Sequence, residues 1–259
     1  MPRIYITTHP LLEPKYGRVK LGVRKTLAWN TSHSHNRKFI KRYGQYLYND
    51  KLYEGELFFW GEYEPPTTYT IVNNIVPKAI HDQLYPVKNT IVPPNALNTD
   101  PYVFGDHFKH ICCGIGNRKF QAGDVILFGK IEVNTTTNTH FLLLDTVVVV
   151  KEKVQINPLL NKTQYYKAAI EPMNSKKEFF YRGENYSPEK PYYSFVPCLL
   201  KYSIKPLPHL DLKALGFTVK KGWRTWKADD IPFTHKRWKM ITGAVIGDGW
   251  LIGTHINKI

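Results

Sequence analysis

Two long apolar runs near the middle of the chain constrain its fold more than any other feature. The first, Val125–Ile131, follows a Gly-Asp turn, and the second, Phe141–Val150, follows the polar loop "NTTTNT". Both runs are rich in β-branched and aromatic residues, and two such runs joined by a short polar loop predict a central β-hairpin. The second run is apolar at both alternating positions apart from Asp145 and Thr146. We therefore expect this strand to be buried on both faces.

Shorter segments on both sides of the hairpin predict further strands. "RIYITTHP" is typical of a short strand that stops at a proline, and "KLYEGELFFWGEYEPP" is typical of an aromatic-rich strand that ends at two prolines. "EFFYRGENYSPEKPYYSFVPCLL" predicts a strand, a loop and a second strand. The tail, including "GWRTW" and "HKRWKMITGAVIGDGWLIGTHI", predicts short strand or turn units.

One segment predicts an amphipathic helix. It follows the capping-type residues of "NTSHSHN" and covers residues 34–48. Its apolar residues Phe39, Ile40, Tyr43 and Leu47 recur at helical spacing, which leaves the cations between them on an outer basic face.

The pattern as a whole predicts one domain over residues 1–259. We expect an α+β fold with a central curved β-sheet or barrel and flanking helices, one of them at residues 160–170. Residues 71–101 form a Pro-rich segment that predicts irregular structure. Hydrophobic residues make up 42% of the chain, as in globular proteins. No apolar run is long enough to span a bilayer and no signal-peptide core is recognisable, so we expect a cytoplasmic protein without a membrane partner.

The charge is the strongest indication of function. The chain has 36 Lys and Arg against 21 Asp and Glu, a formal net charge of +15. Such a surface attracts polyanions, and the 14% aromatic content is suited to base stacking. We therefore expect nucleic acid, DNA or RNA, or a nucleotide as the partner. The oligomeric state stays open.

The stretch "FFWGEYEPP" predicts one wall of a ligand pocket. Trp60, Glu62 and Glu64 alternate along one strand and so share a face. An aromatic ring beside two carboxylates can hold a base or a ribose edge, or the carboxylates can act as acid and base.

Two further motifs supply candidate partners for this wall. "GDHFKHICC" places Asp106 and His107 on a loop; its remaining His and Cys lack zinc-ligand spacing, so no metal site is predicted. "YRGENY" offers Arg182 as a phosphate clamp, with Glu184 and Tyr186 as further ligand-binding residues. No phosphate-loop, HExxH or GxSxG motif occurs, and the cofactor stays open.

Basic residues interleaved with aromatic ones are the candidate contacts to a nucleic-acid backbone. Some lie on the basic face of the predicted helix, and the others lie in "GWRTW" and "HKRWK". They are Arg37, Lys38, Lys41, Arg42, Arg224, Trp226, Lys236 and Arg237.

The segment "VFGDHFKHICCGIGNRKFQAGDVILFGK", followed by "FLLLDTVVVV", resembles bacterial and phage proteins of the nucleotide-modification-associated domain type. "WGEYEPP" and "YRGENY…YSFVPC" fit the same pattern. The strand "GDVILFG" is also similar to PUA-like proteins, including EVE- and YTH-type readers, in which aromatic residues cage a modified base. The resemblance implies a PUA-like barrel that handles nucleic-acid bases or nucleotides.

We therefore predict a protein that binds nucleic acid or a nucleotide and recognises or processes modified bases in phage–host conflict, the last part implied by the resemblance alone. The alternative is an enzyme, either a nuclease, a glycosylase or a transferase. It would use Glu62, Glu64, Asp106 and His107 as acid–base or metal groups. A third class, a protein that acts on another protein, predicts no salt-dependent binding of DNA or RNA.

Overall fold

A computed structural model of the chain describes residues 1–8, 11–12, 24–27, 36–62, 67–71, 79–81, 100–111, 119–157, 159, 163, 165–166, 178–201, 206–222 and 226–257. Several predictions fall outside these residues. They concern Glu64, Arg224, the adjacent cysteines, and most of both the Pro-rich segment and the candidate helix at 160–170.

The described chain is mostly β-structure. In chain order the strands are β1 (Arg3–Thr8), β2 (Leu11–Leu12), β3 (Arg24–Leu27), β4 (Asn36–Tyr48), β5 (Lys51–Glu62), β6 (Thr67–Ile71), β7 (Ala79–His81), β8 (Lys109–His110), β9 (Val125–Asn134), β10 (Thr139–Gln155), β11 (Phe179–Gly183), β12 (Val196–Leu199), β13 (His209–Asp211), β14 (Val219–Lys221), β15 (Trp226–Ala228), β16 (Ile231–Pro232) and β17 (Leu251–Ile256). Two helices accompany them, α1 (Leu212–Leu215) and α2 (His235–Gly247). No described helix is long and apolar enough to cross a membrane.

The first sheet is built around the predicted hairpin, which is confirmed. Its strand order is β16-β1-β9-β10-β11-β8, with β13 also paired to β10. β9 and β10 pair antiparallel from Val125 opposite Val149 to Asn134 opposite Thr139. β10 is buried continuously from Leu142 to Val150, as its two-sided apolar pattern predicts.

The second sheet curves until it closes on itself. Its order is β17-β12-β5-β4-β7-β6-β3, and β17 pairs not only with β12 but also with β4. Strands β4, β5, β12 and β17 therefore form a closed hydrogen-bonded circuit, the arrangement of a small barrel. This confirms a β-rich α+β fold with curved sheets.

The predicted helix over residues 34–48 is wrong, because Asn36–Tyr48 forms strand β4. It pairs with β5 along its length, from Arg37 opposite Glu62 to Tyr48 opposite Lys51. The connecting residues Asn49 and Asp50 both have positive φ, 48° and 57°. Two such residues form the tight turn that matches strand twist, so the hairpin forms locally and outcompetes the helix.

Part of the C-terminal tail was predicted to form short strands or turns and forms a helix instead. "HKRWKMITGAVIG" forms helix α2, whose N-cap Thr234 accepts a hydrogen bond from the Arg237 backbone N–H. Trp238, Ile241 and Val245 are its buried residues and lie on one stripe that packs into the core.

Candidate functional site

Trp60, the predicted aromatic wall of a pocket, is a core residue. Its side chain is 3% exposed and its ring packs against Phe39 at a centroid distance of 5.4 Å. Glu62 is the last residue of β5 and lies opposite Arg37 in register, and Glu64 lies beyond the described strand. The pocket wall therefore stays a prediction for the two glutamates.

Two of the residues predicted to contact a nucleic-acid backbone are buried instead of exposed. Arg37 and Lys38 are 1% and 4% exposed. Adjacent residues on a strand point to opposite faces, and both faces at this end of β4 are covered by core. Arg37 and Lys38 are therefore corrected from surface phosphate contacts to interior residues.

Arg37 belongs to a buried charge network, which comprises Arg37, Asp145, Asp100 and His110. The Arg37 Nε lies 2.9 Å from Asp145 Oδ2, and its Nη1 donates to the Asp100 carbonyl oxygen at 3.1 Å. Asp145 occupies a β-bulge in β10, between Leu144 and Thr146. The bulge releases one side chain from the apolar alternation of the strand and directs it at the guanidinium.

The other half of the network is a His–Asp pair. His110 Nδ1 lies 2.5 Å from Asp100 Oδ1, and both side chains are 2% exposed. The His110 ring also packs edge-on against Phe128 at 5.0 Å. A buried charge costs several kcal/mol unless it is paired, so each member depends on its neighbour. Sequence reasoning missed this network, although Asp145 was visible as an exception in an apolar run.

Asp100–Ile111 forms a short hairpin, the FGD hairpin, that carries Asp106 and His107 at its tip. The backbones of Tyr102 and Lys109 exchange two hydrogen bonds of 2.8 Å, and Gly105 takes a φ of 81° at the turn. The Gly105 N–H donates to the Ile256 carbonyl at 2.8 Å, which fixes the tip against β17.

The FGD hairpin packs closely against strand β11. The Gly183 N–H donates to the Phe108 carbonyl at 2.6 Å, and the Asn185 side-chain amide donates to the Asp106 carbonyl. A Cβ at Gly183 would lie 2.8 Å from Phe108 Cβ and 2.5 Å from Ser194 Oγ. Glycine is therefore needed here for backbone packing.

The hairpin brings the predicted residues Asp106, His107 and Arg182 to one sheet edge. Lys109 lies opposite Arg182 in register, and its Nζ donates to the His107 carbonyl at 3.0 Å. Arg182 Nε lies 3.2 Å from a carboxylate oxygen of Glu152. That ion pair is half-exposed, so it contributes about 0–1 kcal/mol.

His107 reports the charge at this edge. Partial burial is the largest cause that lowers its pKa below the ordinary value. The positive charges of Arg182, Lys151 and Lys109 lower the pKa further. The carboxylate of Asp106 acts in the opposite direction. Burial and the positive field of these cations therefore both favour the neutral form of the imidazole.

Glu184 and Tyr186, the other predicted ligand-binding residues, have protein partners. Lys190 Nζ lies 2.6 Å from Glu184 Oε1, and the Tyr186 ring meets Tyr193 edge-on at 5.0 Å. Burial, then the neighbouring Tyr186 phenol and Asp50 carboxylate, raises the pKa of Tyr193 to about 12.

Of the other residues predicted to contact a nucleic-acid backbone, some bind other parts of the protein and some are exposed to solvent. Lys41 lies 2.7 Å from Glu56, and Arg42 donates to the Lys41 carbonyl at 3.1 Å. Arg237 donates to the carbonyls of Leu215 and Pro232, so it joins helices α1 and α2.

Half-buried Trp226 has its ring edge-on to His140 at 4.7 Å. Lys236 is exposed on α2.

Lys236 is part of a larger exposed group, the C-terminal lysine surface, on α1, β14, β15 and α2. None of its members forms an ion pair with another described residue. The members are Lys213, Lys221, Lys227, Lys236 and Lys239.

Hydrogen bonds link the elements that carry these lysines, although Lys221 and Lys227 lie on opposite faces of the β14–β15 hairpin. The Phe217 N–H donates to the Leu212 carbonyl, and the Asp229 N–H donates to the Thr218 carbonyl at the base of the β14–β15 hairpin. Arg237 then ties α2 to the end of α1.

Among the described residues, no three His, Cys, Asp or Glu side chains are grouped to hold a metal ion. Searches against protein-family models, curated proteins and solved structures give no match. The likeness to PUA-like and nucleotide-modification-associated proteins therefore stays a prediction.

Proposed function

We propose that this protein binds nucleic acid, DNA or RNA, and that the C-terminal lysine surface contacts the phosphate backbone. The proposal is based on a difference between the lysines of this surface, which form no ion pair with a described residue, and the nearby carboxylates, which have protein partners. The five lysines are exposed without an ion pair to any described residue. The chain also carries a formal net charge of +15, which favours approach of any polyanion.

The carboxylates of the same segment are already engaged. Asp211 caps α1, Asp248 accepts from the His209 backbone N–H at 2.8 Å, and Asp230 pairs with Arg3. Asp229 lies 3.8 Å from Lys220. The fold thus occupies the acidic side chains and leaves lysines solvated. A phosphate backbone that displaces counterions from such lysines gains affinity that falls steeply with salt.

The described tryptophans offer little ring surface for base stacking, whereas the exposed tyrosines Tyr43, Tyr48 and Tyr53 lie on the β4–β5 hairpin, away from the C-terminal lysine surface. Trp60, Trp238 and Trp250 are buried, and Trp226 is half-buried against His140. Backbone contact carries no sequence information, so the proposed binding is largely independent of sequence. Recognition of a modified base would need a second site and rests on the resemblance.

The test is a salt series of binding measurements on fluorescently labelled duplex DNA, single-stranded DNA and RNA of one sequence. The variant Lys236→Ala/Lys239→Ala removes two neighbouring lysines from one face of α2. We expect its plot of log affinity against log salt to lose about two units of slope, one for each phosphate contact. The matched control Lys51→Ala/Lys201→Ala removes two exposed lysines elsewhere and should keep the slope.

Two results would contradict the proposal. One is no binding of any of the three nucleic acids at low salt. The other is an equal loss in the lysine-surface variant and in the control, which would mean that net charge alone is responsible. Product analysis of the same mixtures, with and without Mg²⁺, tests the enzyme alternative. That alternative expects His107→Gln to abolish turnover while binding is retained.

A further inference from the structure

We propose that the tip of the FGD hairpin and strand β11 form a second, smaller anion site that takes a phosphate monoester. This is the group found at a phosphorylated nucleic-acid end and on a nucleoside monophosphate. Arg182, Lys151 and Lys109 provide its positive charge, and His107 lies among them. The site is independent of the C-terminal lysine surface. β11 lies near one edge of the first sheet, and β1, which contacts β15, lies near the other.

The cations come from three strands that meet at this edge. Lys109 on β8 lies opposite Arg182 on β11, and Arg182 lies opposite Glu152 on β10. Lys151 precedes Glu152 at an irregularity in β10, where the register shifts between Val150 and Glu152. An arrangement on paired strands is held in place by the backbone ladder, so the charges are preorganised.

Arg182 has donors to spare. Its Nε faces Glu152, and its two terminal nitrogens make no hydrogen bond to another described residue. A guanidinium carries five N–H groups in a planar fork that matches the oxygens of a phosphate group. The arginine can therefore bind a phosphate through its outer edge.

The charge balance favours a dianion over a monoanion. Arg182, Lys151 and Lys109 act on His107 with positive charge. Asp106 and Glu152 are the carboxylates that face them. Among these described groups, three cations face two carboxylates; once a ligand displaces Glu152 from Arg182, three cations face one carboxylate, and this excess of two charges matches a phosphate monoester, which is largely dianionic at neutral pH. The half-exposed Glu152 is the group that the ligand must displace from Arg182.

Phosphate binding at this site can be detected through His107. Its pKa is lowered by partial burial and then by the surrounding cations. A bound dianion offsets those cations and so raises the imidazole pKa. We expect inorganic phosphate to produce a saturable shift of the His107 ring signals in NMR spectra, assigned with His107→Gln.

Two variants give opposite expected results. Arg182→Gln should weaken phosphate binding by about tenfold or more, because a charge-assisted pair of hydrogen bonds is lost. Glu152→Gln removes the competing carboxylate and should strengthen binding by up to about fivefold. The matched control Lys201→Gln changes net charge as Arg182→Gln does and should leave binding unchanged. Lys151→Gln, on a different strand, repeats the test if Arg182→Gln fails to fold.

The inference is overturned if phosphate causes no saturable shift of His107, if Arg182→Gln binds like Lys201→Gln, or if Glu152→Gln weakens binding. Lys236→Ala/Lys239→Ala should lose backbone binding yet keep the phosphate response, so failure of one proposal is separable from failure of the other. In that background, comparison of 5′-phosphorylated and 5′-hydroxyl oligonucleotides with adenosine monophosphate distinguishes a chain end from a free nucleotide.

Discussion

Two stretches of similar sequence differ in secondary structure and in the exposure of their cations. "NRKFIKRY", residues 36–43, and "HKRWKM", residues 235–240, both alternate cations with large apolar side chains. The first is a strand whose Arg37 and Lys38 are buried, and the second begins a helix whose Lys236 and Lys239 are exposed. Local composition therefore indicated neither the secondary structure nor the exposure of the cations.

The difference lies in what each stretch can pair with. β4 has β5 beside it after a two-residue turn, and its other edge is joined by β17. Core then covers both faces, so a cation there needs a buried carboxylate, which Asp145 provides for Arg37. α2 has a capped start and one apolar stripe, so residues away from that stripe, among them Lys236 and Lys239, face water.

The largest effect is expected at the buried stretch. Arg37→Ala leaves the Asp145 carboxylate buried without the guanidinium at 2.9 Å, and we expect the free energy of unfolding to fall by about 3–5 kcal/mol. Urea denaturation measures it. Lys41→Ala, on the same strand but 37% exposed, should cost at most about 1 kcal/mol. Equal losses in the two variants would contradict the buried network.

Substitution of a glycine in the same strand tests the secondary structure, because a strand and a helix predict opposite changes in stability. A Cβ at Gly44 would lie 2.3 Å from the His255 carbonyl oxygen, so we expect Gly44→Ala to destabilise the protein by about 1–3 kcal/mol. A helix over this segment would instead be stabilised by about 1 kcal/mol. Gly55→Ala is the matched control, since Gly55 lies opposite Gly44 and its Cβ would meet only Tyr46, at 3.6 Å. Thermal unfolding of both variants decides the matter.

The N-cap tests the helical stretch. Thr234→Ala removes the side-chain acceptor for the Arg237 N–H and should destabilise the protein by about 1 kcal/mol. Thr234→Ser keeps the hydroxyl and should retain the stability of the native protein. If serine and alanine gave the same loss in urea denaturation, the cap would not be what starts this helix.

The smallest effect is expected at the exposed lysines. Lys236→Ala/Lys239→Ala should change the free energy of unfolding by no more than about 0.5 kcal/mol, because solvated side chains are replaced by a good helix former. A circular-dichroism melt checks this. A marked loss would mean that these lysines stabilise the fold, and the comparison with Arg37 would no longer hold.

Much of the central sheet could be predicted from sequence. The run Phe141–Val150 allowed only a strand covered on both sides, and its partner Val125–Ile131 followed from the polar loop. β4 was misread because Phe39, Ile40, Tyr43 and Leu47 fit helical spacing, while the turn at Asn49 and Asp50 carried the stronger signal.

Part of the candidate site was also visible in advance. "GDHF" and "YRGENY" were singled out separately, and the structure brings Asp106, His107 and Arg182 to one sheet edge. The network of Arg37, Asp145, Asp100 and His110 could not be found in the same way, because its members come from three separate parts of the chain, β4, β10 and the FGD hairpin.

The sequence by itself determined a basic, β-rich chain with a buried central hairpin. Net charge is a sum over residues, and a long β-branched run has a local preference, so neither depends on the rest of the fold. Only the tertiary structure decided which cations face water. Exposure depends on whether distant parts of the chain cover a residue. Arg37 is buried where it contacts Asp145 of β10 and Asp100, while α2 leaves Lys236 and Lys239 solvated.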